Sequence, residues 1–301
     1  MLKIVKTSAL RLLTSMGQRQ SPFLTEEYRR HTSRRLEHLA CLGLDVAGRS
    51  VLELGCGVGE LTSYYVDRGC RVLATDARLS NVVAVRNRFP DCEVAQVSLS
   101  NRSSLPAERF DVVHAYGLLY HLHDPESAVE AMSSCCGGLL LLESVVHPTA
   151  FGPNPTQEDG SDSTQAVDGI GSRPGREWLY NLLKRHFEYV YVPYTQPRHE
   201  EFPLDWSEVP SGRHSRCVFV CSRVKLDCRT LTLDLLARHL PQPLDLPISR
   251  HGFLPSAISL TSTGRDGCET HKLNNDIGEQ RSRWAGLAKS AQRNQPEGVR
   301  A

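Results

Sequence analysis

No Cys-x-x-Cys pair occurs in these 301 residues, although the chain carries 10 cysteines. They are scattered at Cys41, Cys56, Cys70, Cys92, Cys135, Cys136, Cys217, Cys221, Cys228 and Cys268, and no two pairs have the spacing of a zinc ribbon. A structural zinc knuckle is therefore not expected, and the thiols fit reduced side chains of a cytoplasmic protein. Excess charge is lacking as well. Thirty-five Lys and Arg stand against 34 Asp and Glu, for a formal net charge of +1. That balance excludes a strong non-specific pull toward nucleic acid or anionic membrane. No apolar run approaches the roughly 20 residues that span a bilayer. The longest, GGLLLLESVV at 137–146, contains a carboxylate and reads as a buried strand. No internal repeat is present. What remains is an ordinary globular composition, 40% apolar and 23% charged, able to bury a core without disulfides or metal. The length suits one decorated α/β domain or two average domains.

Acids are missing locally at the start of the chain. The first 25 residues hold Lys3, Lys6, Arg11 and Arg19 but no Asp or Glu, with Leu2, Val5, Ala9, Leu13 and Met16 at helical spacing. A helix docked on the domain behind it, a transit peptide and an interfacial helix all fit this pattern. Residues 1–35 are set apart as a basic, helical extension, and 23–44 read as a charged helix.

From there short apolar runs alternate with helical patterns. SVLELG (50–55), CRVLATD (70–76), CEVAQV (92–97), FDVVHAY (110–116) and GGLLLLES (137–144) read as five strands. Between them lie helices at 60–69, closed by Gly69, and at 80–88, stopped by Pro90. A third begins at Asp124-Pro125, an N-cap followed by proline at the first helical position. Such alternation implies βαβ units and a mainly parallel sheet. Residues 147–175 break the rhythm: rich in Gly, Pro, Ser and Asp, they form a loop, either a lid or without order. A helix at REWLYNLLKRHF and strands at EYVYVPY (188–194) and RCVFVCSRV (216–224) follow, the latter placing Cys217 and Cys221 on one face. Beyond 225 the periodicity fades, and 226–301 is read as a low-order tail.

The chemistry concentrates in VLELGCGVGELT, residues 51–62. Gly55, Gly57 and Gly59 sit where a strand must turn sharply into a helix, and glycine lets a ligand approach the backbone. Ligands of open α/β sheets bind at the carboxyl ends of the strands, so this turn faces the ligand. Dinucleotide folds use GxGxxG to seat a pyrophosphate on a helix N-terminus. Here the order is GxGxG, and Glu53 stands two residues before the first glycine. A carboxylate there repels a pyrophosphate and suits a cationic amino-acid moiety. Asp76, closing the second strand, can accept both hydroxyls of an adenosine ribose.

These residues resemble the class I S-adenosylmethionine-dependent methyltransferases: ELGCGVG matches the glycine-rich first motif, Asp76 the ribose-binding acid, and FDVVHAYGLLYHLHDP (110–125) the fourth-strand motif beside the transfer centre. The resemblance covers roughly residues 36–224. It implies a Rossmann-like, doubly wound, mainly parallel seven-stranded sheet with helices on both faces, over 36–225. It implies S-adenosyl-L-methionine as the cofactor, with Glu53, Gly55, Cys56, Gly57, Gly59, Asp76, Ala77, Ser98 and Tyr116 around it. One departure stands out. The family often has an acid just after its third strand, against the adenine amino group, whereas this chain has Val97-Ser98-Leu99-Ser100. Ser98 or a main-chain group is left to serve there.

Methyl transfer is an in-line displacement, so the protein must chiefly hold the acceptor behind the methyl carbon. A hydroxyl acceptor also needs a base. GLLYHLHDP (117–125) offers Tyr120, His121 and His123, with His121 the best base; capping or packing of the next helix is the other reading of these histidines. A metal held by His121, His123 and His147 is a weaker option, and no metal is expected. TQPRHEEFPLDW (195–206), with Arg198, His199, Glu200, Glu201 and Trp206, either lines the acceptor pocket with Trp178 or is a solvated loop.

The acceptor expected is a small molecule or a saccharide-like hydroxyl. LLYHLHDP is also similar to a stretch of the tRNA wobble-uridine carboxymethyl transferases, but a long basic face and paired aromatics for stacking RNA are missing. An NAD(P)-dependent oxidoreductase shares the early geometry, and GxGxG with Glu53 counts against it. A catalytically inactive, methyltransferase-like interaction protein is a further alternative, opposed by the intact spacing of Glu53, the glycines and Asp76. Aminopropyl transfer ranks last, for want of an acidic cluster to hold a polyamine.

Overall fold

The computed structural model describes residues 22–242, apart from 102, 103, 163, 211 and 214. The basic start of the chain and most of the expected C-terminal tail lie outside the described residues. A short 3-10 turn, Pro22–Leu24, leads into α1 (Glu26–Cys41). Thr25 caps α1 by accepting from the Tyr28 amide, and Glu26 and Glu27 lie in its first turn, where a carboxylate opposes the helix dipole. The sheet-forming series follows: β1 (Ser50–Leu54), α2 (Thr62–Val66), β2 (Arg71–Asp76), α3 (Leu79–Arg88), β3 (Glu93–Gln96), β4 (Phe110–Tyr116), α4 (Pro125–Cys135) and β5 (Cys136–Val146). The expected cap of α4 is present: Asp124 accepts from the Ser127 amide with Pro125 in the first turn. Then come β6 (Pro155–Gln157), β7 (Ile170–Ser172), α5 (Arg176–Lys184), β8 (Tyr189–Pro193), β9 (Ser215–Ser222) and β10 (Leu231–Thr232).

The main sheet runs β10-β8-β9-β5-β4-β1-β2-β3. β3, β2, β1, β4 and β5 are parallel, and β9 enters antiparallel between β5 and β8. This is the Rossmann-like order, with β1 and β4 at its centre, where the chain reverses its direction of winding. Period-2 alternation sends side chains to two cores. Val51, Val72, Val112, Leu139 and Leu141 pack with Leu39, Tyr65 and Val85 from α1, α2 and α3. Leu140 and Leu142, equally buried, point to the other face, where α4 and α5 pack on each other and on β5, β8 and β9.

Expectation and structure differ in three places. The sheet has eight strands rather than seven, because Leu231 and Thr232 pair antiparallel with Pro193 and Val192 as an added edge. Residues 226–242, expected to start a low-order tail, are held there: the Tyr180 hydroxyl donates to the Leu233 carbonyl and an Arg176 guanidinium to Leu236. Polar side chains meeting backbone carbonyls leave no apolar period to read. The 147–175 segment is likewise built rather than loose, since β6 and β7 form a hairpin within it.

Candidate active site

β1 ends at Leu54 and the chain turns through three glycines with positive φ, +71° at Gly55, +54° at Gly57 and +83° at Gly59. These angles favour glycine. A Cβ on Gly55 would come within 3.1 Å of Leu118, and one on Gly57 within 3.4 Å of the Phe23 ring. The turn lies against Asp76, whose carboxylate accepts from the Gly57 amide (3.0 Å) and the Arg78 amide (2.8 Å). Burial pushes the Asp76 carboxyl up, and these amides work against that rise. Each oxygen of the carboxylate thus takes one backbone amide while the residue still lines a cavity of about 480 Å³, a size that suits a nucleoside-bearing ligand.

Of the expected cofactor residues, Gly55, Cys56, Gly57, Asp76, Ala77, Ser98 and Tyr116 line this cavity, as do Tyr120 and His121. Glu53 and Gly59 are not among its lining residues. Gly59 faces inward, where an added Cβ would meet Phe89 at 3.0 Å and Val85 at 3.2 Å; it serves the tight turn and helix packing. Glu53 is buried beneath the turn, with Thr62 donating its hydroxyl to the carboxyl at 2.5 Å. Burial pushes the Glu53 carboxyl up to about 8, over the lowering effect of Thr62, and the nearby Asp76 adds to the rise. His114, 3.9 Å away, is pushed down to about 3 by burial and then by Arg35, so the two are not an ion pair near neutrality.

At the other end of the cavity, His121 Nδ1 lies 2.6 Å from Glu158 Oε2. Burial acts to raise the Glu158 carboxyl, but His121, the Ala166 amide and Arg173 outweigh it and hold it down at about 2. An ionised carboxylate only accepts, so Nδ1 carries a hydrogen, and in the neutral ring Nε2 is then the nitrogen that accepts. Glu158 comes from the 147–175 segment, and sequence spacing gave no means of pairing it with His121. Tyr120 sits between two guanidiniums, with Arg173 and Arg216 at 5.4 and 4.9 Å from its ring centre, and its hydroxyl accepts from Arg216 at 3.1 Å. Arg216 also binds Glu143 (3.0 Å) and Glu201 (2.5 Å), and Arg35 of α1 reaches the other Glu143 oxygen at 3.2 Å.

Several lining residues escaped the sequence reading: Phe23, Tyr28, His31 and Arg35 before the sheet, and Arg216 on β9. One signal for them existed. Glu143 is an acid inside an apolar strand and must find cationic partners when buried. Of the 195–206 stretch, His199 and Glu201 line the cavity, while Trp206 is buried under Arg176 and donates to His239. Trp178, Arg198 and Glu200 do not line it. The set His121, His123 and His147 is not brought together: His121 faces Glu158, and His147 Nδ1 accepts from the Thr149 amide. Among the described residues, His31, His199 and Glu201 are the grouping with ligand atoms near one another. Arg216 already holds that glutamate, and Arg30 reaches His199, an electropositive setting for a cation.

With this geometry in hand, similarity to known proteins is informative. Residues 24–198, more than half of the chain, match a family model described as a methyltransferase domain. A probable S-adenosylmethionine-dependent methyltransferase of Mycolicibacterium smegmatis is 33% identical over 143 residues, 46% of this chain and 53% of that protein. A tRNA U34 carboxymethyltransferase of Azotobacter vinelandii is 32% identical over 111 residues, 34% of each chain. The chain thus spans about half or less of the curated relatives it matches. In structure, the N-terminal domain of EvdMO1, crystallised in the presence of SAH and D-fucose, aligns with TM-score 0.52 at 17% identity, covering 70% of this chain and 96% of that one. That likeness speaks for the fold alone.

Proposed function

Because the chain belongs to the methyltransferase-domain family, we propose that it transfers a methyl group from S-adenosylmethionine to a hydroxyl of a small, saccharide-like acceptor. The observation that carries this reading is a single cavity with two ends. One end has a glycine turn without side chains beside an acid fixed by backbone amides. The other has a histidine oriented by a buried carboxylate. The residues fit the cofactor: Gly55 and Gly57 leave the space a Cβ would fill, and Asp76 keeps lone pairs for a ribose diol. When bound, the sulfonium supplies an activated methyl group.

The chain's own part is positioning and proton handling. An acceptor hydroxyl held in line with that methyl group would lose its proton as it is methylated. His121 Nε2 takes the hydroxyl proton, and Glu158 stabilises the imidazolium that forms. Arg35, Arg216, Tyr28 and Tyr120 give the acceptor end a wall of fixed donors and ring faces, suited to several hydroxyls on a compact ring.

Transfer of labelled methyl groups into a fractionated extract tests the proposal. Label should enter the small-molecule fraction and resist nuclease and protease. Label lost to nuclease would favour tRNA, the reading supported by the A. vinelandii relative. Calorimetry with S-adenosylhomocysteine and NAD(P) tests the cofactor. Absence of affinity for the former would overturn the proposal.

A further inference from the structure

The segment that delivers Glu158 to His121 also reaches the opposite end of the cavity. The loop closing the β6–β7 hairpin, residues 158–169, puts Val167 and Asp168 on the cavity wall beside Val97, Leu99 and Ser100. Its conformation is set by its own backbone: the Glu158 amide donates to Gly169, Gln165 to Asp162, and Gly169 to Ala166. Its place is set by Arg78, two residues beyond Asp76. One guanidinium nitrogen of Arg78 donates to three loop carbonyls, Gly160 (3.2 Å), Asp162 (2.7 Å) and Gln165 (3.1 Å). Asp168 then accepts from the Ser100 hydroxyl at 3.1 Å through Oδ2. Its Oδ1 has no partner among the described residues.

The sheet dictates what comes near this carboxylate. β3 lies beside β2, Asp76 is in register with Gln96, and the Val97 amide donates to the Asp76 carbonyl. A nucleoside whose ribose is held by Asp76 therefore has its base beside residues 97–100. Val97, Leu99 and Val167 offer apolar contact to a flat ring, and Asp168 stands at the rim. We propose that Asp168 accepts a hydrogen bond from the exocyclic amino group of the adenine, and that Arg78 is the positioning residue that pins the loop for it. The inference rests on the cofactor reading above and goes beyond it, since Asp168 lies far along the chain from the strand ends that otherwise frame the base. A carboxylate only accepts. It selects a purine with an amino group at that position and opposes one with a carbonyl, where two acceptors would face each other.

The test uses the full chain and calorimetric affinity for S-adenosylhomocysteine and its deaminated analogue, S-inosylhomocysteine. The native protein should prefer the adenosyl compound by about tenfold or more, the range of one hydrogen bond to a charged group. Asp168→Ala should bring the ratio near one, by weakening the adenosyl compound and relieving the repulsion that the inosyl compound meets. Asp168→Asn, whose amide can donate or accept, should do the same by improving the inosyl compound. Arg78→Met should reduce the ratio by releasing the loop that carries Asp168. Asp168 is exposed, so its variants should keep the native melting temperature. An unchanged preference in Asp168→Ala overturns the assignment while leaving the cofactor reading intact. No affinity for either compound in the native protein overturns both.

Discussion

Glu53→Gln isolates the energetics of the acid beneath the glycine turn. The native Glu53 carboxyl is pushed up to about 8, whereas its ordinary value is 4.5. Between those values the folded protein holds a proton that the unfolded chain has released, so stability falls as pH rises. The slope approaches ~1.4 kcal/mol per pH unit within the window and flattens above the folded value. From pH 6 to pH 8 the loss from this group is about 2 kcal/mol. Glutamine has the same shape, and its amide oxygen still accepts from Thr62, but it has no proton to lose. The variant should therefore match the native protein near pH 4 and overtake it progressively above pH 5. For a domain of this size the gap at pH 8, relative to pH 6, corresponds to about 4–8 °C in melting temperature. Thermal melts of both proteins at pH 6, 7 and 8, without cofactor, measure the difference, and histidine titrations common to both cancel. Parallel pH dependence of the two proteins would refute the reasoning, because Glu53 would then be ionised in the fold.

The oriented histidine predicts that His121→Asn lowers turnover by about 10²–10⁴ while S-adenosylhomocysteine affinity, read by calorimetry, stays within a factor of about two. Glu158→Gln should lower turnover less, leaving Nε2 available but the imidazolium unsupported. Gly55→Ala places a methyl 3.1 Å from Leu118 at φ +71°; it should cost at least ~1 kcal/mol of stability and weaken cofactor binding, seen as a lower melting temperature and a raised Kd. Glu143→Gln removes the charge shared by buried Arg35 and Arg216; a loss of about 3–5 kcal/mol in denaturant unfolding is expected, and a variant as stable as the native protein would show that water already relieves those guanidiniums.

Much of the fold and part of the candidate site were legible in the sequence because local chemistry fixes them. β4 falls on the residues its apolar run marks, Asp124-Pro125 caps α4 as the sequence pattern requires, and each glycine of the turn takes the positive φ that only glycine accepts cheaply. Asp76 follows from its place at the end of β2, since strand ends in a parallel sheet must face the ligand. Tertiary structure alone decided the rest. The buried face of α1 is His31, Thr32, Arg35 and His38 with Leu39; a polar face turned toward a cavity has no hydrophobic period, so its role was invisible. Glu53 reads as a ligand-facing acid by spacing, and only the fold shows its carboxyl buried under the turn with Thr62 donating to it. Glu158 and Asp168 meet His121 and Ser100 across 37 and 68 residues. Pairing over such distances depends on where a hairpin is pinned, which the chain's local pattern cannot express.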